Sequence, residues 1–424
     1  MRWWCRGSRV GRLWLITREG STPTHTELRH EGSWNCGYAS VVSRMGLALE
    51  WEIFCVVAAF IAHYALAFSL RGIPLTSSRR RLSRTWLAAR QTHTDKIPSV
   101  ICVGEVLWDC FPEGLFLGGA PTNVATHSAA LGRPAAVVSC VGDDELGRQA
   151  LHRLKQRDVE CFISSHDSLP TGTVRVEVDH RGIPSYDIIK PVAWDDVAVD
   201  EGVMARLSAS PPDVCLYGSL ASRSAKTRQT TYRIADTAKR RCFDVNLRPP
   251  YDSRVVVQEA LEKTDWLVKL SVEEWKTVSE WFDIPHSLPE GARQLSEKFG
   301  IESVCITFGE HGSGMFRKGQ WKEHRGYDVS PWLEDTVGAG DAFLATLVDR
   351  LLTLEDTNPL LFTNDSRVEH ILGEANLVAA YVATKRGATP MVTREALEGF
   401  REGVRANGQS AEDDFMLPGV RYVV

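Results

Sequence analysis

From Pro98 onward, short β-branched runs alternate with longer amphipathic ones, and this rhythm constrains the fold more than any other feature of the chain. "SVICVGEVLWD" reads as a strand ending in Gly and an acid, "NVATHSAALG" as a helix, "AAVVSCVG" as a strand and "ELGRQALHRLKQR" as a helix. Further strands follow in "DVCLYGS", "RCFDVNL", "WLVKLS" and "SVCITFG", with helices such as "SRSAKTRQTTYRIADTAKR" between them. Strand then helix, repeated, joins parallel strands by crossover helices. The expected fold is therefore α/β, a mostly parallel sheet flanked by helices.

One segment breaks the rhythm. In "TGTVRVEVDHRGIPSYDIIKPVAWDD", residues 171–196, Val174, Val176 and Val178 alternate with Arg175, Glu177 and Asp179, and the pattern turns at Arg181-Gly182 and resumes at Tyr186 and Ile188. This is a hairpin pattern inside an α/β chain. Two readings stand: an edge hairpin of the main sheet, or a small sheet projecting over a site as a lid.

The chain divides near residue 97. Residues 98–405 form the expected domain and 406–424 a tail, while residues 1–97 lack sustained periodicity apart from "IFCVVAAFIAHYALAFSL", Ile53 to Leu70. That stretch is uncharged over about 18 residues, which just reaches spanning length. It reads as a membrane anchor followed by "RRRLSR", as the apolar core of a cleaved presequence starting at Met45 and ending at Ala65-Leu66-Ala67, or as upstream sequence that is not translated. The basic, acid-free "FSLRGIPLTSSRRRLSRTWLAARQT" after it resembles bipartite plastid presequences, so the expected location is the plastid or the cytoplasm.

Composition excludes some partners. At 424 residues, 43% hydrophobic, the chain has room for one large core or two ordinary ones, and a net charge of −5 leaves no electrostatic footprint for nucleic acid. The ten cysteines are scattered singly without a Cys-x-x-Cys pair, so no zinc site is implied, and those in apolar runs, such as Cys102 and Cys305, behave as small buried hydrophobes. His127, His152 and His166 are singletons and read as structural or surface residues.

In an open α/β sheet, ligands bind beyond the carboxyl ends of the strands. The residues found there are Asp109, then Gly118, Gly119 and Asn123 before a helix, Gly218, then Asp244, Asn246 and Arg248, and finally Gly309 and Gly312. "EDTVGAGDAFLATLVDRLL" adds Gly338, Ala339 and Gly340, followed at once by Asp341 and a helix built on Phe343, Leu344, Leu347, Val348 and Leu351. A helix start exposes unpaired N–H groups, and glycines let an anion reach them. Asp341 reads either as a general base within reach of that anion or as a carboxylate stabilising the helix dipole.

"DTVGAGDAF" together with "GGAPTNVATHSAALG" resembles the two signature regions of the PfkB/ribokinase family of carbohydrate kinases, over nearly all of residues 98–405. "GEVLWD", "TGTVRVEVD", "PVAWDD", "YGSLASRS" and "FDVNLRPP" are similar to its fructokinase branch. The resemblance implies a ribokinase-like fold with a small β-sheet lid and an ATP-dependent sugar kinase using Mg²⁺ and a monovalent cation such as K⁺. In it Asp341 is the base, Gly338, Ala339 and Gly340 form the anion hole, and Asp109, Gly118, Gly119, Asn123 and Asn246 hold the sugar, with Arg175 in the lid. Thr307, Gly309, Gly312 and Asn376 bind the nucleotide, and Glu274 acts on the metal through water. The family's Asn-x-x-Glu here reads "SVEE", with Ser271 at the Asn position; otherwise Glu274 is a solvated helix-start glutamate.

A Walker A loop is excluded, since no Gly-Lys dipeptide occurs, and no strand runs into a full G-x-G-x-x-G. Two functions stay open. One is phosphorylation of a ketohexose such as fructose, with ribose, adenosine or 2-keto-3-deoxygluconate as other acceptors. The other is a non-catalytic, fructokinase-like partner protein of plastid assemblies. Pairing of lids between two copies is the expected route to a homodimer.

Overall fold

The computed structural model of the chain describes residues 14–17, 24–27, 98–111, 114–178, 184–357 and 366–406. Two compact units divide between Ala89 and Arg90. In the first, strands β1 (Trp14–Thr17) and β2 (Thr24–Glu27) pair antiparallel. Residues 53–70 lie outside the described residues. Among the described residues no helix is long and apolar enough to cross a membrane.

The second unit holds two sheets. Strands β3 (Val100–Val103), β6 (Ala135–Gly142), β7 (Glu160–His166), β10 (Val214–Gly218), β11 (Arg241–Asp244), β12 (Leu267–Ser271) and β13 (Ser303–Thr307) are parallel, and β14 (Ser313–Arg317) and β15 (Gln320–His324) complete one edge antiparallel. Their order is β15-β14-β13-β12-β11-β10-β3-β6-β7.

Side chains alternate across this sheet, so each strand supplies two cores. Ile101, Val138, Cys215, Tyr217, Phe243 and Val268 pack against helices α4 (Ala225–Ala235), α5 (Arg254–Lys263), α6 (Val272–Phe282) and α7 (Glu290–Phe299). Their neighbours Val100, Cys102, Val137, Leu216, Cys242 and Leu267 pack against α1 (Ala120–Ala130), α2 (Glu145–Gln156), α8 (Ala339–Thr357) and α9 (Ser366–Ala383). Helix α3 (Glu201–Ala209) adds Leu207 to the first core, and α10 (Arg394–Ala406) packs through Leu397 onto α9 residues Val378 and Val382. Phe343, Leu344, Leu347, Val348 and Leu351 of α8 are all buried. Truncating a buried Phe to Ala costs about 3–5 kcal/mol, so the helix that starts at the glycine turn is firmly seated.

The second sheet is the lid, in the order β5-β4-β8-β9: β4 (Leu107–Phe111), β5 (Gly114–Gly118), β8 (Gly172–Val178) and β9 (Pro184–Ile188). The hairpin expected at 171–196 is therefore half of a separate sheet and not an edge of the main one, with β8 parallel to β4 and antiparallel to β9. "SVICVGEVLWD" is also not one strand. Gly104, at φ +155° and pressed against Pro121, turns the chain out of the main sheet after Val103, so Asp109 sits on a lid strand.

Candidate active site

Parallel strand ends and one helix start build the site. At the start of α8, Gly338 has φ +77°, and a Cβ there would collide with Ala388. Only glycine fits. The turn is anchored from behind by Asp335, which accepts from Val337 N at 2.9 Å and from Gly387 N at 3.2 Å. The first bond of the helix runs from Ala342 N to Gly338 O, 2.9 Å. The amides of Gly340 and Asp341 thus precede the first closed turn, where N–H groups lack internal partners and the dipole favours an anion.

A cation lies directly below. A Cβ on Gly340 would stand 3.4 Å from the Lys269 ammonium, and that ammonium is 3.2 Å from Asp244 Oδ1. Both are buried. Although burial opposes the charge on Lys269, the carboxylates of Asp244, Glu274 and Asp341 outweigh it and raise its pKa, so it stays cationic.

Asn123, in the second turn of α1, donates Nδ2 to Asp341 Oδ2 at 2.8 Å. Burial pushes the Asp341 carboxyl above the ordinary range, while the Asn123 hydrogen bond, Lys269 and Arg248 pull it back. The lid supplies Asp109, whose carboxylate lies so close to Gly118 that any side chain there would strike it. Burial, then Asp341 and Asp335, push Asp109 up to about 6.

Ser271 and Glu274 close the far wall. Ser271 Oγ accepts from Glu274 N at 3.2 Å, and Glu274 Oε2 accepts from Ser271 N at 2.7 Å, a reciprocal cap for α6. Serine caps a helix as well as asparagine does. Glu274 Oε1 also takes Leu247 N at 2.8 Å, which ties α6 to the loop after β11. Glu274 stands at the helix start as expected, but its carboxylate serves the interior. In that loop Asn246, with φ +40°, is buried, and its carbonyl accepts from Ser219 Oγ at 3.2 Å.

On the opposite flank, Thr307 ends β13, and Gly309 and Gly312 take positive φ in the turn before β14. Asn376 is buried in α9, its amide donating to Ser313 Oγ at 2.9 Å beside His324 Nδ1 at 3.3 Å. Arg175 is exposed on β8, opposite Cys110 of β4. His127 is a structural residue, bonded through Nε2 to Ala388 O at 3.0 Å behind the Gly338 turn.

Two residues escaped the sequence reading, Lys269 and Glu105. Their only signals were a lysine inside the apolar run "WLVKLS" and an acid directly after the β3 glycine. Three buried oxygens near Asp341, Glu105 Oε2, Asn123 Oδ1 and Asp244 Oδ2, have no hydrogen-bond partner. A buried acceptor without a donor is costly. These oxygens can accept from hydroxyls or water.

This combination of α/β sheet, β-lid and anion-binding helix start with an adjacent carboxylate defines a kinase that phosphorylates small hydroxyl compounds. The chain belongs to the pfkB family of carbohydrate kinases, matching it over residues 105–394. It is similar to the fructokinase of Salmonella typhimurium, 28% identical over 300 residues, 68% of this chain and 93% of that one. It is also similar to the fructokinase of Klebsiella pneumoniae, 31% identical over 262 residues, 58% of this chain and 82% of that one. Among solved structures, the fructokinase of Vibrio cholerae O395 in its fructose, ADP and calcium ion bound form superposes with a TM-score of 0.59 at 26% identity, covering 72% of this chain and 98% of that one. The chain is an enzyme, an ATP-binding carbohydrate kinase.

Proposed function

We propose that the enzyme transfers the γ-phosphoryl group of ATP to a hydroxyl of fructose, with Asp341 as general base. The observation that carries this reading is the Asn123–Asp341 bond, which sets a half-buried carboxylate at the mouth of the helix start that lies over Lys269. The hydroxyl proton passes to Asp341, the hydroxyl oxygen bonds to the γ-phosphorus, and the bond from that phosphorus to the β–γ bridging oxygen breaks, releasing ADP. Gly338, Ala339 and Gly340 receive the charge of the transferred group, with Lys269 beneath them. Positioning and charge stabilisation dominate such transfers.

In this reading Asp109, Gly118, Gly119, Asn123 and Asn246 hold the sugar and Arg175 closes over it from the lid. Asn123 Oδ1, which lacks a donor, suits a sugar hydroxyl. Thr307, Gly309 and Gly312 border the nucleotide, with Asn376 supporting that flank through Ser313. Among the described residues no group of three or more His, Cys, Asp or Glu is placed to hold a metal. The donors present fit a Mg²⁺ brought in on the nucleotide phosphates and held through water by Asp244 Oδ2, which has no partner, and by Glu274, whose oxygens keep spare lone pairs. Such an ion would neutralise phosphate charge; a monovalent cation such as K⁺ belongs to the same proposal. So do residues 98–405 as the kinase domain, pairing of two lids in a homodimer, and a location in the plastid or cytoplasm.

A coupled assay of ADP release across fructose, ribose, 2-keto-3-deoxygluconate and adenosine tests the acceptor. Asp341→Asn keeps the shape and the helix start but cannot take the proton, so kcat should fall by roughly 10² to 10⁴ with both substrates still bound. Near wild-type turnover in that variant would remove Asp341 from the mechanism.

A further inference from the structure

Glu105 stands at the joint where the chain leaves the main sheet for the lid, between β3 and β4, and is only 2% exposed. Its hydrogen bonds run to the start of α1. Its Oε1 accepts from Ala120 N at 3.3 Å, and its backbone carbonyl accepts from Thr122 Oγ1 at 2.8 Å. Gly119, at φ +105°, is pressed against that same carbonyl so closely that a Cβ would collide with it. One residue therefore holds the peptide before the helix, its first N–H and a hydroxyl of its first turn. Asn123, whose own backbone N–H bonds Gly119 O at 2.8 Å, lies one turn further on. Toward the lid, Glu105 leads into β4, whose Asp109 abuts Gly118 on the other side of the joint.

We infer that Glu105 is a positioning residue for the sugar: it locks the root of lid strand β4 to the start of α1, so that Asp109 from the lid and Asn123 from the helix serve one substrate. This rests on the sugar-kinase reading above. The second carboxyl oxygen, Oε2, is buried without a hydrogen-bond partner. Burial, opposed by Arg248 and reinforced by Asp341, pushes Glu105 up to about 7, so the neutral form is accessible near neutrality. A neutral side chain of the same shape should therefore serve equally well.

The test uses the full chain and steady-state kinetics for each substrate. Glu105→Met keeps volume and burial but removes the acceptor, and the sugar KM should rise by about tenfold or more while the ATP KM stays within about twofold. Glu105→Gln retains an acceptor oxygen, so both constants should stay within about threefold of wild type. An unchanged sugar KM in Glu105→Met, or an equal rise in both constants, overturns the inference, as does a rise in Glu105→Gln matching that of Met. Should the Met variant fail to fold, Glu105→Asp replaces it: it keeps the charge but falls one methylene short of Ala120, and the same rise in sugar KM is expected, an unchanged value again overturning the inference. Failure of the wild-type enzyme to phosphorylate any sugar overturns the underlying reading and the inference with it, and is recognised before any variant is made.

Discussion

Removing the side chain that holds Asp341 gives the sharpest test of the proposed base. In Asn123→Ala the amide that donates to Asp341 Oδ2 at 2.8 Å is lost. That bond favours the ionised carboxylate, against the burial that raises its pKa. A hydrogen bond to a charged group contributes about 1.5–3 kcal/mol. At about 1.4 kcal/mol per pKa unit, its loss should raise the Asp341 pKa by roughly one to two units. The sign follows directly: a base with a higher pKa is protonated at higher pH, so activity disappears earlier as the medium is acidified. The assay is the pH dependence of kcat at saturating sugar and ATP, which reports ionisations in the ternary complex. The acid limb should move up by roughly one to two pH units, with a smaller loss on the alkaline plateau. A limb at the wild-type position, whatever the plateau, would mean that Asp341 is not the group whose ionisation limits turnover.

Further perturbations probe the other walls. Because Asp109 is raised to about 6, its ionised form, the better acceptor for sugar hydroxyls, is lost as pH falls through that value. The sugar KM should rise there, and Asp109→Asn should flatten that rise; a persisting pH dependence would assign it elsewhere. Lys269→Met strands Asp244 in the interior and should destabilise the fold by about 3–5 kcal/mol in denaturant titrations. Adding Asp244→Asn should restore stability without restoring turnover, and recovery of both would deny the lysine a role in transfer. Removal of residues 1–95 should leave a folded, active kinase, since the paired strands of the main sheet begin at Val100; circular dichroism and the coupled assay decide it.

How much of this could be read from the sequence depends on whether the signal was local. Strand–helix alternation is a periodicity within short windows, so the parallel sheet and the apolar stripe of α8 were legible, and so was the glycine turn before Asp341. The lid was only half legible. Residues 171–196 alternate visibly, but β4 continues the apolar run of β3, and nothing local shows that Gly104 adopts φ +155° and turns the chain into another sheet. "GLFLG" is lid strand β5, and its partner Leu107–Phe111 becomes visible only once the turn is known. Lys269 was hidden differently. Which face of β12 it occupies, and that α8 starts above that face, are facts of tertiary packing. Ser271 was legible in principle, because Ser-x-x-Glu before a helix is a cap signature; family comparison drew attention to the missing asparagine instead.

The charges of the site bear on the proposal that Asp341 is the base. Glu105, Asp109, Asp244, Glu274 and Asp341 are all pushed upward by burial, and several also by one another. Such a cluster cannot ionise uniformly, because each added charge raises the cost of the next. The groups that oppose burial differ from one carboxyl to the next. Asp244 has the Lys269 ammonium at 3.2 Å, and Asp341 has the Asn123 amide, Lys269 and Arg248. Asp109 and Glu105 have Arg248 as the cation that opposes burial and are pushed up to about 6 and about 7. When environments separate otherwise similar carboxyls in this way, the roles separate with them. In the proposed mechanism Asp341 takes the hydroxyl proton, Asp244 is the counter-ion of Lys269, and Asp109 accepts from the sugar.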